Sequence, residues 1–186
     1  MNSLPIRILD WVLALSGLVL ALPVLLLVTL LGFLDTGSPV FMQQRVGRHK
    51  KPFTLIKFRT MGLATASVAT HQVDSSAVTT LGRFLRKTKL DELPQLINVL
   101  KGDMSLVGPR PCLFNQELLI AERDKKGVFT VLPGITGLAQ VNHIDMSTPQ
   151  RLAEWDQRMI ENFTVGDYFK YLLMTVTGSG QGDRVK

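Results

Sequence analysis

Twenty-four consecutive residues, Trp11–Leu34, carry no charge, and this run limits the chain more than any other feature. About 20 apolar residues in a helix cover the hydrocarbon core of a bilayer. A secretory signal has a shorter apolar core and a small-residue cleavage site. The run has neither, so it is expected to stay with the mature chain. No polar face interrupts it, which argues against a core helix of a soluble domain. Pro23 stands in its middle, where the ring deletes a backbone hydrogen bond and crowds the preceding turn, so a kink is expected. Both flanks are basic. Arg7 and the amino terminus precede the run; Arg45, Arg48, Lys50, Lys51, Lys57 and Arg59 follow it, with no acid between Asp35 and Asp74. Basic flanks favour the cytoplasmic side. Two topologies remain: a kinked spanning helix, or a helix that enters one leaflet, bends near Pro23 and returns. A broken helix is tolerated where neighbouring groups re-satisfy the freed carbonyls, and Ser16 and Thr29 are candidate helpers.

The 186 residues suffice for one domain with a core plus a membrane element. With 46% hydrophobic and 19% charged residues, disorder is excluded on composition. A net charge of +6 suits anionic partners: phosphates, anionic lipid or nucleic acid. A nucleic-acid binder predicts aromatics interleaved with cations on a soluble fold. Here the cations adjoin a membrane segment, so membrane lipid headgroups are the simpler partner and no nucleic acid is expected. Cys112 is the single cysteine, which excludes an intramolecular disulfide and reads as a small packed residue.

Along the rest of the chain, 40–46 and 53–60 read as two strands joined by the basic turn 47–52. Phe53, Leu55, Lys57 and Arg59 share one face by the two-residue period. Residues 62–80 read as a loop, with His71 solvated in it. A short basic helix is expected at 79–87 and another from Asp91 to about Leu100, stopped by Gly102. Pro94 is tolerable in the first turn of that helix. Residues 102–112 carry turn signals, a helix follows at 114–124, and 132–142 reads as a structured loop. Helices near 149–162 and 166–177 close the chain, the last with an aromatic and apolar character that suits either an interface or the core.

Three segments can carry chemistry. In Arg86-Lys87-Thr88-Lys89-Leu90-Asp91-Glu92, two adjacent carboxylates open a helix directly after a run of cations. A helix N-terminus favours negative charge, so Asp91 stays ionised at neutral pH, as a nucleophile requires. Arg86 offers phosphate oxygens a forked contact, and neighbouring carboxylates are natural magnesium ligands. The alternative is structural: acids complementing a helix dipole, with Thr88 and Asp91 in a capping box. Gly108-Pro109-Arg110-Pro111 holds one arginine rigidly between two prolines, suited to a phosphate or a base edge, or to nothing beyond a surface loop. The glycines of Pro133-Gly134-Ile135-Thr136-Gly137 permit close backbone approach to a ligand.

Together KFRTM (57–61), LGRFLRKTKLDELPQLINVLKGDMSLVGPRP (81–111) and LPGITGLAQVN (132–142), in this order behind an apolar N-terminus, resemble the monotopic phosphoglycosyl transferases of the bacterial sugar transferase family. The resemblance covers nearly the whole chain. It implies an α+β, mostly helical fold: a re-entrant membrane helix (1–36) broken at Pro23, then a cytoplasmic membrane-associated catalytic domain (37–186) with a small β-hairpin and amphipathic interfacial helices. It implies residence at the cytoplasmic face of the bacterial inner membrane. Asp91 matches the nucleophile that takes a phosphosugar from a UDP-sugar, expels UMP and passes the group to polyprenyl phosphate. Glu92 matches its partner in metal or proton handling, and Mg2+, held by Asp91 and Glu92, is the family cofactor. Arg86 matches a phosphate-binding arginine. Arg110, between Pro109 and Pro111, matches one near the nucleotide. Lys57, Arg59, Gln140 and Asn142 lie in matching motifs as further substrate-binding candidates. The chain departs from the family pattern at Leu22, where serine usually precedes the proline, and at His143-Ile144, where Gly-Arg is usual. A catalytically silent membrane-anchored scaffold for glycan-assembly enzymes is the competing reading, which the intact acid pair disfavours.

Overall fold

A computed structural model describes residues 1, 3–65 and 75–178. His71 and most of the loop around it lie outside the described residues.

The apolar run forms the core of one helix, α1 (Leu4–Thr36). It is long and apolar enough to cross a membrane. The break expected at Pro23 is not present: one helix runs through that residue, and Thr29 Oγ1 donates to the Leu25 carbonyl at 2.7 Å. Gly37, in the left-handed region at φ 73°, ends the helix. Most of its large side chains face outward, from Trp11 and Leu15 to Leu30 and Leu34. It meets the rest of the molecule at both ends. Near the start, buried Ile6 and Ala14 join the main core. Near the finish, Val28 packs with Phe58 and Leu85, and Thr79 donates to Asp35 at 2.7 Å.

The expected hairpin is present. Strand β1 (Val40–Val46) pairs antiparallel with β2 (Pro52–Phe58). Helix α2 (Thr80–Thr88) starts at the cap Thr79, whose hydroxyl accepts from the Gly82 amide. The helix expected from Asp91 divides in two: a 3-10 turn at Leu90–Glu92 and α3 (Gln95–Lys101). The bonds on either side of Pro94 are of the tighter i to i+3 type, Leu93 to Leu90, Leu96 to Leu93 and Ile97 to Pro94, so the regular ladder begins only in α3. Gly102 stops α3 at φ 88°, as expected. Buried Asn98 of α3 acts as a piece of backbone for β2: Nδ2 donates to the Thr54 carbonyl at 2.7 Å, and Oδ1 accepts from the Ile56 amide at 3.1 Å.

Two stretches expected as turns contain short strands. Strand β3 (Ser105–Val107) pairs in parallel with β4 (Gly134–Thr136). Three residues are too few for a two-residue period to show in sequence. Helix α4 (Glu117–Lys125) begins later than expected, because Gln116 Oε1 instead accepts from the Leu113 amide. Helix α5 (Leu138–Val141), α6 (Pro149–Glu161) and α7 (Val165–Val176) complete the chain. A reciprocal capping box, Thr164 with Asp167, sets the start of α7. The whole is mostly helical α+β, as the resemblance implied.

Candidate active site

The two carboxylates occupy a junction rather than a helix start. Helix α2 ends at Lys89, which turns the chain in the left-handed region (φ 59°, ψ 15°). Asp91 and Glu92 follow in the 3-10 turn, and Leu93 and Pro94 lead into α3. The expected Thr88–Asp91 capping box does not form: the Thr88 hydroxyl donates back to the Phe84 and Leu85 carbonyls. Leu90 packs on the cluster of Val28, Phe58 and Leu85, which ties the turn to α1.

Asp91 is 7% exposed. Burial and the adjacent Glu92 push its pKa up to about 6, while Lys57, Arg86 and Arg110 oppose the rise. This corrects the expectation from the helix dipole, which would lower that pKa. Asp91 is nevertheless predominantly ionised at neutral pH.

Each opposing cation arrives from a different segment. Lys57 comes from β2, with its ammonium 5.5 Å from the centre of the Phe41 ring. Arg86 comes from the last turn of α2, and its Nε donates to the Thr60 hydroxyl at 2.9 Å. Gly82 makes this approach possible: a Cβ there would lie 2.1 Å from the Thr60 carbonyl oxygen. Arg110 comes from the proline-flanked loop, and its Nη2 is 2.6 Å from Glu92 Oε1.

That loop is clamped through its main chain. The Pro109 carbonyl accepts from the Gly134 amide at 2.9 Å. The Arg110 carbonyl accepts from Arg123 Nη1 at 2.8 Å, and the Pro111 carbonyl from Arg45 Nη1 at 3.2 Å. Behind it, Arg123 forms a fully buried ion pair with Asp156 at 2.7 Å. The glycines of the 133–137 motif serve this loop: a Cβ on Gly134 or Gly137 would collide with the backbone of Gly108. The close approach read from them in sequence is therefore backbone to backbone.

The remaining candidates have other contacts. Arg59 turns toward the end of α1, donating to the Ser38 carbonyl at 2.9 Å. Gln140 donates to the Gly108 carbonyl at 3.3 Å. Asn142 donates to the Leu138 carbonyl, within its own helix end. The departure at His143 has a backbone correlate, since His143 sits at φ 59°, a conformation glycine adopts without strain.

Sequence reading did not single out Thr60, Lys89, the Arg123–Asp156 pair or Asp10. Asp10 is fully buried at the start of the apolar run. It accepts from Ser105 Oγ, the Leu106 amide and Tyr168 Oη, each at 2.9 Å, and pairs with Arg7. An acid abutting an apolar run was a usable signal for it. Arg123 and Asp156 gave none, because each looks like an ordinary charge on an amphipathic helix.

Among the described residues, no group of three or more His, Cys, Asp or Glu side chains gathers to hold a metal. The Asp91–Glu92 pair fits magnesium nonetheless. That ion takes one or two carboxylates and completes its shell with water and substrate phosphate oxygens. Burial raises the Asp91 pKa and the adjacent Glu92 adds to the rise; a divalent cation would relieve that second contribution.

The chain matches the family described as bacterial sugar transferase over residues 1–181. It is 45% identical over 144 residues to the uncharacterized sugar transferase EpsL of Bacillus subtilis, covering 77% of this chain and 71% of that protein. It is 39% identical over 181 residues to the UDP-glucose:undecaprenyl-phosphate glucose-1-phosphate transferase of Caulobacter vibrioides, covering 91% and 67%. It is 35% identical over 189 residues to the undecaprenyl-phosphate galactose phosphotransferase of Salmonella typhimurium, covering 91% of this chain but 39% of that larger protein. A match that runs from the apolar helix through the acid pair to the last helix leaves one conclusion: this chain belongs to the bacterial sugar transferase family.

Proposed function

We propose that the protein transfers a phosphosugar from a UDP-sugar to undecaprenyl or a related polyprenyl phosphate, in two displacements at Asp91. The observation that carries this reading is a buried carboxylate held near pKa 6 between a second acid and Lys57, Arg86 and Arg110, on a turn packed against an apolar helix. A carboxylate meets a diphosphate with like-charge repulsion, which fixed cations offset. In the first displacement an Asp91 oxygen bonds to the β-phosphorus and the bond to the bridging oxygen breaks. UMP leaves with that oxygen, and a phosphosugar–aspartate remains. In the second, an oxygen of the polyprenyl phosphate bonds to the same phosphorus, the aspartyl oxygen departs, and the carboxylate is regenerated. Two steps let a water-soluble donor and a lipid acceptor use one site in turn.

Arg110 orients Glu92 and adds positive charge beside it; Arg86, braced by Thr60, faces the same region. Asp91 and Glu92 would hold magnesium, which supplies neutralisation of the diphosphate charge when bound. The names of the relatives support the substrate classes and leave the sugar open.

The contacts of α1 support a re-entrant path. Arg7 donates to the Met104 carbonyl at 2.9 Å, and Asp35 at the other end accepts from Thr79. Ends tied to one domain belong on one side of the membrane, and the basic flanks favour the cytoplasmic side. Cysteine labelling near residues 3 and 40 should find both on that side; opposite sides would restore a spanning helix.

The test of function is UMP release over a panel of UDP-sugars with polyprenyl phosphate and magnesium. Wild type turns over, and intact mass without acceptor gains a phosphosugar adduct. Asp91→Asn does neither. Full activity in that variant would remove the mechanism.

A further inference from the structure

The catalytic turn opens on a lysine where the backbone favours glycine. Lys89 holds φ 59° and ψ 15° at the end of α2, a conformation that strains a residue with a Cβ and suits glycine. Nothing in the backbone calls for lysine there. Its side chain crosses to α7, where Nζ donates to the Thr175 carbonyl at 3.0 Å. Thr175 lies in the last turn of α7, where its carbonyl also accepts a long bond from the Gly178 amide at 3.4 Å.

The connection continues from there. The Thr175 and Thr136 hydroxyls are 2.5 Å apart. The Thr136 carbonyl accepts from the Gly108 amide at 2.8 Å. Gly108 leads into Pro109 and Arg110, and Arg110 bonds Glu92 at 2.6 Å. The path leaves the turn through Lys89, passes through α7, β4 and the proline-flanked loop, and returns to the same turn. Lys89 is also partly desolvated close to Glu92 and Arg110, and burial lowers its pKa.

We propose that Lys89 is a positioning residue for the transfer reaction: by bonding the Thr175 carbonyl it clamps the Asp91–Glu92 turn to the end of α7 and fixes the line along which Asp91 meets the donor phosphorus. This rests on the reading of Asp91 as nucleophile. A group that acts by aiming another governs the chemical step more than donor affinity.

The experiment compares full-length wild type, Asp91→Asn, Lys89→Gly and Lys89→Arg in the UMP-release assay, with thermal unfolding of each. Lys89→Gly gives the backbone the residue this conformation prefers, so its Tm should stay or rise. Its kcat should fall about tenfold or more, because small displacements of a reacting group are costly, with donor KM within about twofold of wild type. Adduct formation on Asp91 should slow in parallel. Lys89→Arg should restore most of the rate, because it keeps a cationic donor. The proposal is overturned if Lys89→Gly keeps kcat within about twofold, if the loss lies in KM, or if Lys89→Arg is no better than Lys89→Gly. A wild type that releases no UMP from any donor removes the functional reading itself, and this proposal with it.

Discussion

Asp10 and Asp91 are both buried acids, and the chain uses them in opposite ways. Around Asp10 the donors are a short hydroxyl, a backbone amide and a tyrosine on fixed elements, with Arg7 one helical turn away. Such a carboxylate is a joint. It fastens α1 to β3 and α7, and the low dielectric strengthens every bond in it. Around Asp91 the field comes from a like charge beside it and long cationic side chains from three segments. Desolvation first, and then Glu92, raise its pKa to about 6 against the pull of those cations, as suits the nucleophile proposed for that position. Burial alone therefore does not separate structure from chemistry; the kind of neighbour does.

The sharpest break of that comparison is Asp91→Asn. Transfer should fall by about a thousandfold or more, as for loss of a nucleophile, measured as UMP release. The fold should survive. The raised pKa means that the folded chain binds more protons than the unfolded one between the ordinary carboxylate range and about 6. Stability therefore declines as pH rises through that window, and the full cost is present above it. Removing the charge should leave the unfolding temperature at neutral pH unchanged or higher.

Asp10→Ala should do the reverse. It leaves Ser105 Oγ, the Leu106 amide and Tyr168 Oη without their shared acceptor and removes the ion-pair partner of Arg7, which keeps its bonds to the Met104 and Val99 carbonyls; losing one partner of such a buried cluster costs about 3 kcal/mol. Thermal unfolding in detergent micelles reads this directly. A variant of native stability would show that α1 is held without the Asp10 joint, by its apolar contacts and the remaining bonds of Arg7 and Asp35.

Arg110→Ala is intermediate. Glu92 loses its 2.6 Å partner and the turn loses a cation, so kcat/KM should fall about a hundredfold by analogy with loss of one oriented charge donor. Arg110→Lys should recover only part, because a point charge replaces a planar fork. A smaller effect is expected from pH. The acidic limb of kcat/KM for the wild type should lie near pH 6, the value to which Asp91 is raised, with activity increasing as the carboxylate ionises. A limb at ordinary carboxylate pH would place the nucleophile in a more solvated setting. The least effect should come from Lys50→Ala. It removes an ion pair with Asp124 in which both side chains are about half exposed. Neither activity nor stability should change measurably, since exposed pairs contribute about 0–1 kcal/mol.

Much of the site was legible before any coordinates. The uncharged run, the hairpin, α2 and the Asp91–Glu92 pair follow from local patterns whose signal lies within a few residues. Lys57, Arg86 and Arg110 were named from their motifs, and all reach the field of Asp91. Arg59 shares a face with Lys57 as the two-residue period implies, both cations lying over the Phe41 ring at 5.4 and 5.5 Å, but its Nε is engaged by the Ser38 carbonyl beyond β2. The dipole argument for Asp91 failed because the acid lies in a 3-10 turn ahead of α3, buried where desolvation dominates.

A membrane-length apolar helix, a small hairpin and an acid pair among cations can be read directly from the order of residues. Charge, hydropathy and proline act over the span of one turn or strand, so they can be read in order along the chain. Which charges become joints and which gather around Asp91 depends on the folded chain. Asp10 with Tyr168, Arg123 with Asp156, and Lys89 with Thr175 are separated by 158, 33 and 86 residues. Their roles come from who surrounds them after folding, because the energy of a charge is set by its desolvation and its neighbours, and neither is written in the local sequence.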